Sequence, residues 1–213
     1  MILASASPRR KELLQRAGYD ITIIPADVDE THQAGEKPRA LVSRLAEMKA
    51  HAVWAKSSGR ESLLAADTIV WTDDGTILGK PQGVAGAAAM LEALSGKTHH
   101  VSTGVCLMVP AADTPRELTF CDTTDVTFFE LSADEIAAYI ATGEPMDKAG
   151  AYGIQGAASL FVKKIDGAWD NVVGLPMAHV VRELARLEQQ AGAVTHTLPA
   201  LLAHLARKGQ EPA

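Results

Sequence analysis

The segment at residues 5–10, SASPRR, places two serines, a proline and two adjacent arginines directly after a short apolar run. Ser7 is a favourable helix N-cap and Pro8 suits the first helical position, so the segment predicts a strand-to-helix junction. Free backbone N–H groups and the positive end of the helix dipole favour an anion at such a junction. Arg9 and Arg10 are unfavourable there by themselves, which indicates a negative ligand such as a triphosphate. An ordinary helix start with two solvated arginines is the alternative.

A second candidate group is the carboxylate of Asp67, which lies inside the apolar run LLAADTIVW at residues 63–71. Strand alternation predicts that Asp67 shares a face with Ala65 and Ile69, and that Thr68 points to the opposite face. An ionised carboxylate in such a strand is costly unless a cation or a metal ion pairs with it. Mg²⁺ carrying substrate phosphates is suitable, because it accepts one or two carboxylates. A carboxylate that caps a turn or pairs with an arginine is the alternative.

Two lysines and a glycine-rich loop form the third candidate group. Lys49 follows Leu45 by about one turn of a predicted helix, so it either snorkels along apolar surface or points at a ligand. Lys80 follows the hairpin that carries Asp67 and is expected within reach of the same site, although a solvated loop lysine is the default. The loop at residues 147–156, DKAGAYGIQG, has three glycines that would let the backbone approach a ligand. Gln155 offers a donor and an acceptor suited to the edge of a base.

The elements that must position these side chains are predicted from apolar periodicity and turn signals. Strands are expected at residues 1–4, 20–25, 63–71, 76–78, 101–109, 118–129 and 160–165. Helices are expected from residue 8 to Gly18, at 38–56 and 86–94, from a Ser132/Glu135 capping box to Gly143, from Pro176, and at 198–207. The helix at 38–56 is expected to bury Leu41, Leu45, Met48 and Ala52. Interleaved strands and helices favour an α/β architecture with a mixed sheet.

Composition excludes several classes of protein. The 213 residues fit one large domain or two small lobes that share a core, and the net charge of -6 argues against a general nucleic-acid binder. No apolar run approaches the ~20 residues that span a bilayer, and no secretory leader pattern is visible at Met1, so no membrane partner is expected. Cys106 and Cys121 are too few for a disulfide framework or a zinc site. A reducing cytoplasm is therefore the expected location.

Taken together, these segments resemble the Maf family of nucleotide pyrophosphatases. The matching segments are residues 3–10, 66–70, 79–81, 94–99, 147–156 and 172–176, and they occur in the same order along the chain. The resemblance extends to about residue 190. We therefore expect a Maf-like nucleotide pyrophosphatase domain at residues 1–190 and a C-terminal helical extension at residues 191–213.

The resemblance implies a mixed twisted sheet with flanking helices in two lobes around a cleft, like the inosine triphosphate pyrophosphatases, often as a homodimer. The loop sequence at residues 150–156 is similar to that of the branch that hydrolyses dTTP and UTP to the monophosphate and pyrophosphate. A divalent cation, Mg²⁺ or Mn²⁺, is the implied cofactor. The residues matched to phosphate, metal and catalysis are Ser5, Arg10, Lys49, Asp67 and Lys80; those matched to base choice are Arg9, Thr68 and Gln155.

One residue departs from the family pattern. Many relatives carry Glu immediately before the helix lysine, where this chain has Met48. Another carboxylate, Glu30, is expected to hold the metal with Asp67, or else the metal binds more weakly. The sequence leaves open whether Asp67 is the base or the metal ligand. It also leaves open whether the substrate is instead 7-methyl-GTP or a deaminated purine triphosphate, or whether the chain is a non-enzymatic nucleotide-binding regulator of cell division.

Overall fold

The computed structural model describes residues 1–192 and 198–208 of the chain. The strands are β1 (Ile2–Leu3), β2 (Thr22–Ile23), β3 (Leu63–Trp71), β4 (Ile77–Leu78), β5 (Thr98–Val109), β6 (Arg116–Phe128) and β7 (Val162–Asp166). The α-helices are α1 (Pro8–Arg16), α2 (Pro38–Trp54), α3 (Gly83–Leu94), α4 (Ala133–Ala141), α5 (Trp169–Val173), α6 (Met177–Gln190) and α7 (Leu198–Lys208). Short 3₁₀ turns lie at Glu144–Asp147, Ala149–Ala151 and Ala157–Phe161.

The strands form one mixed sheet in the order β2-β1-β3-β5-β6-β7, and β4 pairs with the end of β3. Strand β1 runs parallel to β2 and β3, whereas the other pairs are antiparallel. The long strand β3 therefore lies in the middle of the sheet, where its polar residues face a core layer on each side. In the register of β3 and β5, Asp67 lies opposite Gly104 and Thr68 lies opposite Thr103.

Helices cover both faces of the sheet. Helix α2 packs on one face, and its buried side chains join those of β1, β3 and β5 in the core there. Helices α1, α3, α4 and α6 pack on the other face and join residues of the strands in the larger core cluster. The α/β architecture with a mixed sheet and flanking helices, expected from the sequence, is confirmed.

Helix α2 buries Leu41 and Leu45 of the expected stripe, but its buried face extends to neighbouring positions instead of to Met48 and Ala52. Met48 and Ala52 are only half-buried, whereas Val42 and Ala46 are fully buried. The reason is Gly104 on β5: a Cβ there would overlap the carbonyl group of Val42, so only glycine lets the helix backbone come this close to the sheet. Lys49 also lies on this buried face.

The remaining predicted elements are present, with shifted boundaries. The capping box at the start of α4 forms, with Ser132 and Glu135 bonded to each other's backbone. Helix α3 begins at residue 83 rather than 86, β5 begins at 98 rather than 101, and β2 covers only two residues of the predicted 20–25. Such end shifts are expected, because periodicity is weak where an element begins.

The C-terminal segment contains α7, close to the predicted 198–207. Its Leu201 is buried in the larger core cluster with residues of the other helices. Residues 193–197 and 209–213 of the predicted extension lie outside the described residues, so the proposed boundary at residue 190 stays a prediction. Within residues 1–192 and 198–208, no helix combines the length and the apolarity needed to cross a membrane.

Candidate active site

The first part of the site is the junction between β1 and α1. Ser7 is the N-cap of α1, and its hydroxyl accepts a hydrogen bond from the backbone N–H of Arg10 at 3.4 Å. The hydroxyl of Ser5 accepts from the backbone N–H of Ser7 at 3.2 Å. The first turn of α1 contains no acidic side chain. The predicted strand-to-helix junction is confirmed, and its positive helix end faces the cleft that Ser5, Ser7 and Arg9 line.

Arg10 joins three separate segments of the chain. Its guanidinium donates to Ser5 Oγ at 3.1 Å, to Thr68 Oγ1 at 2.9 Å and to the carbonyl oxygen of Gly174 at 3.0 Å. Burial lowers the pKa of Arg10, and the charges of Asp67 and Glu30 act against that shift. An arginine stays protonated under such conditions, so a fixed positive charge lies between α1 and β3. The three bonds use three of the five N–H groups of the guanidinium.

Lys49 and Asp67 form the centre of the site. Nζ of Lys49 lies 2.7 Å from Oδ1 of Asp67 and 2.8 Å from Oε1 of Glu30. Lys49 is buried on α2, and only 13% of the Asp67 side chain is exposed. The expected face of Asp67 is thus confirmed, and its charge is paired with a lysine rather than with an arginine or a turn. The pair of Lys49 and Asp67 is largely buried, whereas Glu30, which is about half exposed, lies nearer the opening of a cleft.

Two adjoining cavities form that cleft. The smaller, about 460 Å³, is lined by Ser5, Arg9, Glu30, Lys49 and Lys80 among others. The larger, about 1020 Å³, is lined by Arg9, Arg10, Glu30, Asp67, Thr68, Lys80 and Gln155 among others. Each of the nine candidate residues from the sequence therefore lines one or both cavities. Arg9, Glu30 and Lys80 belong to both, so the cavities are two parts of one cleft.

The carboxylates present fit a divalent cation that is held together with substrate. Asp67 and Glu30 already share one cationic group, since Nζ of Lys49 bonds to an oxygen of each. No set of three or more His, Cys, Asp or Glu side chains is placed to hold a metal ion within the part of the chain that the structure describes. Mg²⁺ needs no such set, because it is usually bound by one or two carboxylates plus substrate phosphates and water.

Met48, the departure from the family pattern, does not line the cleft. Its sulfur accepts a hydrogen bond from Arg44 at 3.2 Å, and Arg44 in turn pairs with Glu36 at 2.6 Å. The carboxylate that reaches Lys49 from outside β3 is that of Glu30. Glu30 thus lies where a second acidic group was expected from the sequence.

The glycines of the loop at residues 147–156 lie against side chains of the protein, and Gly153 and Gly156 also line the larger cavity. A Cβ at Gly150 would lie 3.0 Å from the side chain of Val70, and a Cβ at Gly156 would overlap the carboxylate of Glu144. Gly150 and Gly156 thus make room for side chains of the protein itself, and the expected approach of the loop backbone to a ligand stays a prediction. Gln155 is exposed and lines the larger cavity, together with Asp147 and Lys148 of the same loop.

Sequence reasoning missed two residues that contact the predicted site residues and help to fix their positions. Thr103 bonds to Thr68 at 2.9 Å and donates to the carbonyl oxygen of Asn171 at 3.1 Å, which fixes the hydroxyl that Arg10 contacts. Asp147 lies 3.8 Å from Arg9. A polar residue within the apolar run at residues 101–109 was the available signal for Thr103. Its meaning depended on the pairing register, which the sequence does not give.

Comparison with known proteins gives several relatives that are similar over most of their length. A protein of Bacillus cytotoxicus named dTTP/UTP pyrophosphatase is 50% identical over 190 residues, 89% of this chain and 96% of that protein. A protein of Koribacter versatilis with the same name is 52% identical over 186 residues, 87% of this chain and 93% of that protein. A third, from Bacillus cereus, is 52% identical over 184 residues, 86% of this chain and 93% of that protein.

Among solved structures, a nucleoside-triphosphatase, dITP/XTP pyrophosphatase, of Mycobacterium abscessus matches with a TM-score of 0.38 and 16% identity. The match covers 62% of this chain and 75% of that chain. The family of Maf-like proteins matches residues 1–187. The resemblance noted in the sequence is therefore confirmed, and the chain belongs to the Maf family.

Proposed function

We propose that this chain hydrolyses nucleoside triphosphates, with dTTP and UTP as its best substrates, to the monophosphate and pyrophosphate. The observation that carries the proposal is the largely buried ion pair of Asp67 with Lys49, which lines a cleft that Arg9, Arg10 and Lys80 also line. The names of the relatives, which match over at least 93% of their own length in the cases above, support the choice of pyrimidine triphosphates.

In this proposal the triphosphate lies in the smaller cavity and the nucleoside in the larger one. Lys49, Lys80 and Arg9 line the smaller cavity together with the N-terminal turn of α1. These groups provide positive charge and backbone donors on the side where phosphates need them. The larger cavity contains Thr68 and Gln155, whose hydrogen-bonding groups suit the edge of a base.

The reaction is an attack of water on the α-phosphorus. The water oxygen forms a new bond to phosphorus, the bond from phosphorus to the oxygen bridging the α- and β-phosphates breaks, and pyrophosphate leaves. Asp67 accepts the proton of the water, or it holds the metal ion with Glu30 while the proton passes to solvent. A divalent cation, Mg²⁺ or Mn²⁺, supplies charge neutralisation of the phosphates and acidification of water when bound.

Charge placement is expected to dominate the rate, because phosphoryl transfer needs little covalent chemistry from the protein. Arg10 is already fixed by three hydrogen bonds, and Lys49 by two carboxylates, so both need little reorganisation when substrate binds. Removal of one such cation is expected to slow turnover by roughly two to three orders of magnitude.

Location and assembly are also part of the proposal. Cys106 and Cys121 are both free thiols, and burial raises the pKa of each, to about 12 for Cys106. Unreactive free thiols suit a reducing cytoplasm. The net charge of -6 favours a small-molecule substrate over nucleic acid. A homodimer is inferred from the family alone, and light scattering of the purified chain measures it directly.

The test is a panel of triphosphates assayed for pyrophosphate, with and without Mg²⁺ or Mn²⁺. We expect metal-dependent release of pyrophosphate that is fastest with dTTP and UTP. Faster release from 7-methyl-GTP or dITP would move the assignment to another substrate. Saturable binding of nucleotide without turnover under every metal condition would contradict the enzymatic proposal and favour a nucleotide-binding regulator.

A further inference from the structure

Glu144 contacts both ends of the loop that presents Gln155 to the cleft. Its Oε2 accepts a hydrogen bond from the backbone N–H of Ala157 at 3.0 Å. Its Oε1 accepts from the hydroxyl of Tyr139 at 3.0 Å, and that hydroxyl accepts from the backbone N–H of Gly153 at 3.1 Å. One carboxylate therefore fixes the backbone directly at one end of the loop and through Tyr139 at the other.

The loop lies directly on this carboxylate. A Cβ at Gly153 would lie 3.0 Å from Oε1 of Glu144 and 2.7 Å from Cε of Lys148, and a Cβ at Gly156 would overlap the carboxylate itself. Both glycines therefore permit a contact that a larger residue would prevent. The close contact indicates that the path of the loop is set by the position of Glu144.

The hydrogen bonds between Glu144 and the loop have a fixed direction. Burial raises the pKa of Tyr139, and the neighbouring Glu144 adds to that shift, so the hydroxyl stays protonated and donates to the carboxylate. The backbone N–H of Gly156 also donates to the carbonyl oxygen of Gly153 at 3.0 Å, which closes a tight turn. Gln155 lies within that turn, with its side chain exposed in the larger cavity.

The segment that begins at Glu144 also reaches Arg9, another residue matched to base choice. The carbonyl oxygen of Glu144 accepts from Nζ of Lys148 at 2.6 Å, and that Nζ lies 2.7 Å from Oδ1 of Asp147. Asp147 in turn lies 3.8 Å from Arg9. Gln155 and Arg9 are thus both connected to the segment that begins at Glu144.

We infer that Glu144 is a positioning residue for substrate selection, which acts by holding Gln155 in the orientation that contacts the base. The inference rests on the proposed function, since it concerns the choice among triphosphates at the same cleft. Glu144 does not contact the ion pair of Asp67 and Lys49, so its effect is expected on binding and selectivity rather than on the chemical step.

The test begins with Glu144→Gln, which keeps the size of the side chain but replaces one acceptor oxygen by a donor NH₂. Two donors converge on the carboxylate, so the amide cannot satisfy both. We expect the KM for dTTP to rise by roughly tenfold while kcat changes by less than about threefold, and the preference for dTTP over dCTP to fall by roughly tenfold. Glu135→Gln is the matched control, because it alters the capping box of α4 without contacting the loop.

A double-mutant cycle separates positioning from general damage to the fold. If Glu144 acts through Gln155, then Glu144→Gln changes selectivity in the wild-type chain but adds less than about twofold in the Gln155→Ala chain. Glu144→Asp, which keeps the charge, is measured alongside in case the amide variant does not fold.

The outcomes distinguish this inference from the proposed function. Additive effects of the two substitutions, or unchanged selectivity in both Glu144 variants, would overturn the inference while leaving the pyrophosphatase proposal intact. A wild-type chain that releases pyrophosphate from no triphosphate would overturn the proposed function, and the inference with it.

Discussion

At the scale of single residues, the site depends on one ammonium group shared by two carboxylates. Lys49 is buried on α2 with Nζ within 2.8 Å of an oxygen of both Asp67 and Glu30. The contact with Asp67 compensates for the cost of holding a carboxylate in an apolar strand. The contact with Glu30 brings an exposed loop over the cleft. A triphosphate with its metal ion would enter an arrangement that already balances charge.

Glu30 is predicted to contribute to metal binding. Glu30→Gln removes one of two carboxylates near Lys49, so the concentration of Mg²⁺ for half-maximal pyrophosphate release is expected to rise by about tenfold. A metal titration at saturating dTTP measures it. Asp27→Asn alters an exposed carboxylate outside both cavities and should leave the titration unchanged. An unaltered titration for Glu30→Gln would remove this residue from the metal site.

Arg10 is predicted not to be replaceable by lysine. The guanidinium bonds to Ser5, Thr68 and Gly174 at once, and a single ammonium group cannot reproduce that fork. We expect Arg10→Lys to lower kcat/KM for dTTP by roughly 100-fold. Arg16→Lys, on the exposed end of the same helix, is the control. Activity of Arg10→Lys within a few-fold of wild type would mean that charge alone suffices at this position.

At the scale of elements, the approach of α2 to the sheet places Lys49 beside Asp67. The approach depends on Gly104, because any side chain there would overlap the helix backbone at Val42. Gly104→Ala is predicted to destabilise the fold by on the order of 3 kcal/mol, since backbone cannot move aside as a side chain can. Thermal unfolding should show a melting temperature lower by roughly 5–10 °C.

Gly86→Ala supplies the matched comparison for Gly104→Ala. Gly86 lies within α3, and a Cβ there would meet its neighbours at ordinary contact distances of 3.7 Å or more. Alanine is also the better helix former, so this change should be neutral or stabilising by up to about 1 kcal/mol. Equal effects of the two substitutions would show that the close approach of α2 does not depend on Gly104.

Most of the helices and strands can be predicted from the sequence, and the features that cannot be predicted have physical causes. The nine-residue strand β3 and the capping box of α4 are local patterns, and both form as predicted. The burial of Val42 on α2 is not a local pattern, because it depends on a glycine in a different strand. Glu30 lies in a loop, where no hydrophobic pattern predicts which side chains point inward. The only reason to name it from sequence was that this chain has Met48 where many relatives carry a glutamate. Glu144 was missed because its contacts with the Tyr139 hydroxyl and the backbone N–H of Ala157 depend on the path of the loop.

At the scale of the whole molecule, a buried histidine is predicted to make stability depend on pH. His99 is fully buried, with Phe128 and Tyr152 against its ring, and burial lowers its pKa from 6.5 to about 4. The unfolded chain then binds the proton first as the pH falls. Stability contributed by neutral His99 is therefore complete above about pH 6.5 and is lost as the pH falls toward 4, by about 3 kcal/mol in all.

Urea unfolding of the wild type and of His99→Phe between pH 7.5 and 5 measures this contribution. The wild type is expected to lose about 2 kcal/mol more than the variant over that range. The other titrating groups, including His100, are present in both proteins, so their contributions cancel in the comparison. The pKa of His100 is raised: burial alone would lower it, but its hydrogen bonds to Asp125 and Asp73 outweigh that effect. Parallel pH curves for the two proteins would contradict the assignment to His99.

The most direct test of the account is pyrophosphate release from dTTP by Asp67→Asn. The amide keeps the shape of the side chain but neither accepts a proton nor balances the charge of Lys49, so we predict a loss of at least about 100-fold in kcat. Asp166→Asn, on the exposed strand β7, should retain wild-type activity. Turnover by Asp67→Asn at a rate near that of the wild type would contradict the central role assigned to this carboxylate.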